Sequence, residues 1–179
     1  MIAVFETYHI DKIEAYDTHK IHELLSSNYE HFEAACPDML AKNLTEELSN
    51  SFVKKKIEQF KNKEAFLFTI KKTITGDIIG IIYIKNLDWE AKQGECICCV
   101  DYNLQGKGIA TKAIKALSQY AFKTLTLESL IANIHKTNIA SIKSVTNNGF
   151  TWTGTLNNGL KPTHNPSLDM ELYTLQNER

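Results

Sequence analysis

Hydrophobic and polar positions repeat with two different periods along the chain. In four segments apolar residues recur every three or four positions, a spacing typical of helices that bury one face. In other segments apolar residues alternate or run together and are rich in β-branched types, which is typical of strands. The predicted helices cover 18 to about 26, 43 to about 62, 109 to at least 121, and 140–147. The predicted strands cover 2–10, 66–70, 78–84, 95–100, 130–134, 150–153 and 168–173.

The order of these elements predicts an α+β fold. A mixed, mostly antiparallel central sheet of about six to seven strands should carry helices on both faces. Turn residues at 75–77 predict an antiparallel hairpin, whereas the helix that begins at 109 should join two parallel strands. Asn43 and Glu46 have the spacing of a capping box at the start of the second helix. The chain length suits one hydrophobic core, so we expect a single domain over 1–179.

Charge and apolar run length narrow the classes of function. The chain has 20 Lys and Arg residues against 21 Asp and Glu residues, so no general positive field attracts nucleic acid. No apolar run approaches the roughly 20 residues that a membrane-spanning helix needs. The first residues lack the basic segment and cleavage site of a secretion signal. We therefore expect a cytoplasmic protein that binds neither nucleic acid nor membrane.

The cysteines do not follow a disulfide or metal-binding pattern. Cys36, Cys96, Cys98 and Cys99 are irregularly spaced, unlike a disulfide framework. A structural zinc site needs a second pair of Cys or His ligands, which the spacing does not provide. We expect the cysteines to act as small buried hydrophobic residues and expect no metal site.

A glycine-rich turn at 105–111 carries the clearest chemical signal. Gly106 and Gly108 let the backbone approach a ligand, and the free N–H groups at the following helix start favour a phosphate or pyrophosphate. The turn does not fit a Walker A loop. It fits a dinucleotide fingerprint only in part, because Thr111 replaces the third glycine and Glu128 precedes the next strand. A Rossmann-type nucleotide-binding domain and a turn without a ligand are the alternatives.

Two motifs resemble one enzyme family. Residues 105–110, Gln-Gly-Lys-Gly-Ile-Ala, match the Q/R-x-x-G-x-G/A motif of the GNAT acetyltransferases. Asn138 and Ser141, with a Gly-Phe pair further on, look like the N-x-x-S and G-F signature of that family. The sequence pattern with Glu95 at the start of a strand resembles the RimJ/RimL branch of the family. The founding members of this branch acetylate N-terminal amines of ribosomal proteins. The resemblance is strongest over 77–155 and by element order extends to the whole chain.

The resemblance implies a GNAT fold that uses acetyl-CoA as acetyl donor. In the family, the strand before the turn separates from its neighbour and binds the pantetheine arm through its backbone. The N–H groups of the turn bind the pyrophosphate. Asn138 would reach the cofactor from the next loop, although its position also suits a helix N-cap. The implied cofactor-binding residues are Cys98, Cys99, Val100, Gln105, Gly106, Lys107, Gly108, Ile109, Ala110 and Asn138.

Transfer from a thioester to an amine needs a neutral amine and a proton for the leaving thiolate. Glu95 is the first candidate base and Asp169 the second, although either carboxylate could be only structural. The resemblance implies that Ser141 hydrogen-bonds the thiolate, because Val145 stands where many GNAT enzymes carry a tyrosine. Ser141 could instead cap the helix or lie on its surface. His135 could titrate near neutral pH, but a loop histidine is more often a bystander.

The sequence leaves two classes of acceptor open. Enzymes of this branch that act on ribosomal proteins often carry a tryptophan-rich stretch after the first helix, whereas residues 32–38 contain Pro37 and no tryptophan. A protein N-terminal amine and a small-molecule amine are both possible acceptors, reached by direct transfer in a ternary complex. A catalytically silent acyl-CoA-binding regulatory domain is the alternative function. The protein could be a monomer or a homodimer.

Overall fold

Eight strands form one mixed sheet in the computed structural model, which describes residues 1–33, 36–160 and 167–178. The strands are β1 (Ala3–Val4), β2 (Tyr8–Lys12), β3 (Phe66–Lys72), β4 (Ile78–Asp88), β5 (Gln93–Val100), β6 (Ser129–Ile134), β7 (Thr151–Leu160) and β8 (Leu168–Gln176). The helices are α1 (Thr18–Ser27), α2 (Tyr29–Glu33), α3 (Pro37–Ala41), α4 (Glu46–Lys61), α5 (Ile109–Lys123) and α6 (Ile139–Thr146). The strand order is β1-β2-β3-β4-β5-β6-β8-β7.

The strand directions confirm the α+β prediction. All neighbouring strands pair antiparallel except β5 and β6, which pair parallel and are connected through α5. The three strands before the glycine-rich turn form an antiparallel meander. A Rossmann half would have parallel strands there, so the sheet topology does not fit the nucleotide-binding alternative.

Helices cover both faces of the sheet. On one face, α5 buries Leu117 and Ala121 in a core that also includes Val145 of α6. On the other face, Ile21 of α1 and Val53 of α4 are fully buried in a second core. Apolar residues recur at helical spacing along α4 and α5, which is why the sequence predicts these two long helices.

The first predicted strand is two strands. The chain reverses after Val4, and the Phe5 N–H donates to the Tyr8 carbonyl at 2.8 Å, so β1 and β2 form a short hairpin. The residues of this turn include no Gly, Pro, Asn or Asp, so no turn signal marks it in the sequence. The division raises the strand number to eight. The segment after Phe150 also forms a much longer strand than predicted, β7.

The predicted capping box at Asn43 is wrong. Thr45 is the N-cap of α4, and its hydroxyl accepts a hydrogen bond from the Leu48 N–H at 3.2 Å. Asn43 is buried and donates to the Met39 carbonyl at 2.8 Å, so it closes α3 instead. The sequence did not predict the short helices α2 and α3. Residues 34 and 35, in the tryptophan-free stretch, lie outside the described residues.

Candidate active site

The two parallel strands in the middle of the sheet separate part-way along their length. β5 and β6 pair only from Gln93 with Ser129 to Glu95 with Ile131. Beyond these residues β5 stays paired with β4, while β6 stays paired with β8. The separation opens a cleft between the carboxyl ends of β5 and β6, as the family resemblance implies.

The backbone of β5 faces the cleft at alternate residues. The Asp101 N–H donates to the Ile79 carbonyl at 2.9 Å, in register with the β4–β5 ladder. Hydrogen-bonded pairs alternate in antiparallel strands, so the backbone groups of Cys99 face β4. Those of Cys98 and Val100 then face the cleft, where a ligand can bind them. Cys99 borders the same cleft without free backbone groups.

The glycine-rich turn ends at an uncapped helix start. Gly106 and Gly108 have φ of 74° and 73°, in the left-handed region that favours glycine. Gly108 is the N-cap of α5, and no side chain among the described residues caps the helix there. The N–H groups of the first turn of α5 therefore remain available to an anion, and the helix dipole adds to the attraction.

A cavity of about 320 Å³ connects this turn with the cleft. Lys107 is exposed and is not part of its wall, whereas Lys143 of α6 is. The other nine residues predicted to bind the cofactor all line this cavity, namely Cys98, Cys99, Val100, Gln105, Gly106, Gly108, Ile109, Ala110 and Asn138. The sequence motif therefore marks one continuous surface.

His31 is a wall residue that the sequence did not reveal. It lies on α2, and its ring accepts a hydrogen bond at 2.7 Å from the side-chain amide of Gln105 in the turn. Burial lowers the pKa of His31, which favours the neutral ring that can accept this bond. The partners are 74 positions apart in the sequence, which explains why no local pattern predicts the contact.

Asn138 is the N-cap of α6, as its position suggests. Its Oδ1 accepts a hydrogen bond from the Ser141 N–H at 3.1 Å. The side-chain amide nitrogen has no hydrogen-bond partner among the described residues, so it can donate to a ligand. Asn138 and Ser141 both line the cavity at the glycine-rich turn and a second cavity beside it.

The second cavity, of about 290 Å³, contains both predicted catalytic residues. We call it the reaction cavity. Glu95 is 7% exposed, and its carboxylate accepts a hydrogen bond from Asn86 at 2.7 Å and pairs with Lys85 at 3.4 Å. The Ser141 hydroxyl is half-buried and makes no hydrogen bond within the described part of the chain. A buried carboxylate and a free hydroxyl thus line the same small space.

The other acid–base candidates differ in position. Asp169 is exposed, accepts a hydrogen bond from the Asn158 N–H at 2.9 Å and does not line the reaction cavity. His135 does line it, and its Nδ1 lies 2.7 Å from the Thr137 hydroxyl. The geometry therefore favours Glu95 over Asp169 as the group that can meet an amine.

Asn133 adds a polar group to the reaction cavity that the sequence did not indicate. Its Oδ1 is buried and has no hydrogen-bond partner among the described residues. A buried acceptor without a partner is costly, so a ligand that donates a proton to it would be stabilised. An incoming amine is such a donor. No sequence motif marks Asn133, which lies in an ordinary strand pattern.

Comparison with known proteins identifies the family. Residues 9–151 match the family model described as an acetyltransferase (GNAT) domain. The match covers well over half of the chain, and the chain belongs to the GNAT acetyltransferase family. Comparison with curated protein sequences finds no match.

Solved structures share the fold over almost the whole chain. The ribosomal-protein-S5-alanine acetyltransferase from Vibrio fischeri has a TM-score of 0.91 and 24% identity, covering 98% of this chain and 96% of its own. RimL, a ribosomal L7/L12 alpha-N-protein acetyltransferase solved with coenzyme A, has a TM-score of 0.88 and 18% identity, with 98% and 97% covered. The microcin C7 self-immunity acetyltransferase MccE, solved with acetyl-CoA and AMP, has a TM-score of 0.85 and 21% identity, with 97% and 94% covered. At these identities the likeness establishes the fold.

The described residues contain no helix long and apolar enough to cross a membrane.

Proposed function

We propose that this protein is an acetyl-CoA-dependent N-acetyltransferase that transfers the acetyl group directly to a primary amine in a ternary complex. One observation carries the proposal. The cavity at the glycine-rich turn and the reaction cavity share Cys98, Asn138 and Ser141, and Glu95 lines the reaction cavity alone. A cofactor bound at the turn can therefore extend its reactive end towards Glu95.

The residues at the turn fit the anionic part of acetyl-CoA. An added Cβ at Gly106 or Gly108 would meet nothing within 4 Å, so the turn leaves open space beside its backbone. The uncapped N–H groups of α5 can bind the pyrophosphate. The backbone groups of Cys98 and Val100 can bind the pantetheine arm. Bound acetyl-CoA would supply an activated acetyl group as a thioester.

Glu95 and Ser141 have complementary roles in this reaction. A bond forms between the amine nitrogen and the acetyl carbon while the carbon–sulfur bond breaks. Glu95, directly or through a water molecule, takes the proton that the amine loses. The Ser141 hydroxyl donates a hydrogen bond to the leaving sulfur and stabilises its negative charge. Asn133 Oδ1 can accept a hydrogen bond from the amine and orient it.

The protonated thiol of Cys98 favours direct transfer of the acetyl group over an acyl-enzyme intermediate at this residue. It is the cysteine that lines both the cavity at the glycine-rich turn and the reaction cavity. Burial raises the pKa of Cys98 to about 12, so its thiol stays protonated at neutral pH. A thiolate is the nucleophilic form of cysteine, and this side chain is therefore a poor acyl acceptor.

The acceptor is a protein N-terminal amine or a small-molecule amine. The V. fischeri enzyme and RimL are named for ribosomal proteins, whereas MccE is named for a microcin. An α-amine, with a pKa of about 8, is partly neutral at pH 7, whereas a lysine, with a pKa of about 10.4, needs more help from the base. We expect amines of lower pKa to react faster.

The test combines the purified protein with acetyl-CoA and a panel of amines, with acetylated products measured by mass spectrometry. We expect acetylation of at least one amine and a loss of about 100-fold in turnover for Ser141→Ala. Thr146→Val is the matched control, because that hydroxyl lies on the same helix, is already bonded to the Ile142 carbonyl at 3.0 Å and lines neither cavity. Binding of acetyl-CoA without acetylation of any amine would instead favour a catalytically silent regulatory domain.

A further inference from the structure

A third cavity, of about 750 Å³, lies beside the reaction cavity. We call it the side cavity. It is formed by α3, α4, the second half of β4 and the end of β7, and its volume lies within the range of about 300–1,000 Å³ typical of small-molecule sites. Lys85, Asn86, Gly159 and Leu160 line both cavities. A small molecule in the side cavity can therefore extend to Glu95.

Lys56 of α4 is the most unusual residue on the wall of the side cavity. Its Nζ donates to the Tyr83 hydroxyl at 2.6 Å and to Gln59 Oε1 at 2.8 Å. It also lies over the rings of Phe52 and Tyr83, 5.3 and 4.6 Å from their centroids. Both hydrogen-bond acceptors are neutral, and an ammonium group has three protons to donate. One donor remains for a ligand.

No described residue neutralises the charge of Lys56. Among the described residues no carboxylate lies within 4.0 Å of its Nζ. Asp38 and Glu64 line the same cavity beyond that distance, and Glu95 pairs with Lys85. A half-buried cation without an anionic partner is unusual, because burying a charge is costly unless it is paired.

Other positive charges surround Lys56. Burial first, and then the nearby charges of Lys42, Lys55 and Lys85, lower the pKa of Lys56 to about 8. Lys42 and Lys85 line the side cavity themselves. The lysine charges that disfavour the ammonium form would favour an anion placed beside it.

We infer that Lys56 binds an anionic oxygen group, a carboxylate or a phosphate, on a small-molecule acceptor whose amine reaches Glu95. The inference rests on the proposed function and specifies its substrate class. The anionic group bonds the remaining donor of Lys56 in the side cavity. The amine occupies the reaction cavity between Glu95 and Ser141. Lys56 is thus a determinant of acceptor specificity and takes no part in the chemical step.

The test compares amines that differ only in the anionic group. Glycine, 4-aminobutyrate and phosphoethanolamine are each paired with the uncharged partner, which is glycinamide, 4-aminobutanamide and ethanolamine. The first two pairs vary the separation of amine and carboxylate, and the third replaces carboxylate by phosphate. We expect at least one anionic member to have a KM about 10- to 100-fold lower than its partner, as befits a hydrogen bond to a charged group.

Variants at Lys56 locate the source of this preference. Lys56→Met keeps the length of the side chain and should abolish the preference through KM, with little change in kcat or acetyl-CoA affinity. Lys56→Arg should retain it. Lys54→Met is the matched control, because Lys54 is exposed on the same helix and does not line the side cavity. An equal preference in wild type and Lys56→Met, or no preference in wild type, would overturn the inference while leaving the proposed function intact.

A binding measurement separates the two proposals if none of these amines is acetylated. That result would count against the proposed function for small amines. Calorimetric titration with the same anionic probes then decides the inference by itself. Binding that is lost in Lys56→Met and kept in Lys56→Arg and Lys54→Met would support it, whereas no binding or equal binding by all variants would overturn it.

Discussion

A substitution at Gly108 tests whether α5 binds an anion. Gly108 is the N-cap of α5 with φ of 73°, a conformation that Asn and Asp tolerate better than other side chains do. An added Cβ has open space around it. Gly108→Asp and Gly108→Asn should therefore both fold. Each new side chain can cap the helix through an oxygen, so the two variants differ almost only in charge.

The difference in charge between the two variants determines how far their Kd values for acetyl-CoA should differ. Two unit charges 4 Å apart interact by about 1 kcal/mol in water and about 4 kcal/mol at an effective dielectric constant of 20. A pyrophosphate carries about two negative charges, so the carboxylate should cost at least about 2 kcal/mol, or roughly 30-fold in Kd, relative to the amide. The amide alone competes for N–H donors and should weaken binding by only about fivefold.

Calorimetric titration of both variants with acetyl-CoA measures this difference. The ratio of the two Kd values should shrink at high salt, because ions screen exposed charges. Thermal unfolding without cofactor supplies an internal control. Gly108→Asp should be at least as stable as Gly108→Asn, since a negative charge is favourable at a helix N-terminus. Equal Kd values for Asp and Asn variants of equal stability would refute the assignment of an anion site to α5.

Three further predictions concern the base, a buried ion pair and Lys56. Glu95→Gln should lower kcat by about 100-fold with the Kd for acetyl-CoA unchanged, and a comparable loss of affinity would mean that Glu95 only shapes the site. Lys71→Met should lower the free energy of unfolding in urea by about 3 kcal/mol, because it leaves Asp17 buried without its partner at 2.7 Å. The exposed neighbour Lys72→Met should change it by less than about 0.5 kcal/mol, and similar losses would contradict the role of the pair. The pKa of Lys56 is lowered from 10.5 to about 8, so between pH 8 and 10 the unfolded state binds more protons. Over that range the free energy of unfolding of wild type should rise with pH relative to Lys56→Met, and a flat difference would contradict the burial of this ammonium.

The parts of the site that the sequence predicts are those formed by neighbours in the chain. The turn, with Gly106 and Gly108, needs backbone conformations that few other residues adopt, and the helix after it has a clear apolar face. Asn138 precedes a short helix with the spacing of an N-cap, and the structure has that cap. Local chemistry determines each of these features, so one sequence is sufficient to predict them.

Contacts between distant segments could not be predicted in this way. Lys56 meets Tyr83 only because α4 packs on the face of the sheet that carries Tyr83, whereas in the sequence Lys56 is simply the last of three consecutive lysines. The buried side-chain oxygen of Asn133 lines a cavity formed by segments distant in the sequence, which no local pattern encodes. The misplaced cap at Asn43 has a local origin instead, since its side chain donates to the Met39 carbonyl four residues earlier and closes α3, a helix that the sequence did not predict.

The proposed function requires that the cleft between β5 and β6 bind acetyl-CoA at the start of α5. The decisive measurement is calorimetric titration of the wild-type protein with acetyl-CoA, with NAD as the control ligand. We expect saturable binding of acetyl-CoA at one site and no binding of NAD. Absence of acetyl-CoA binding, or binding of NAD in its place, would contradict it.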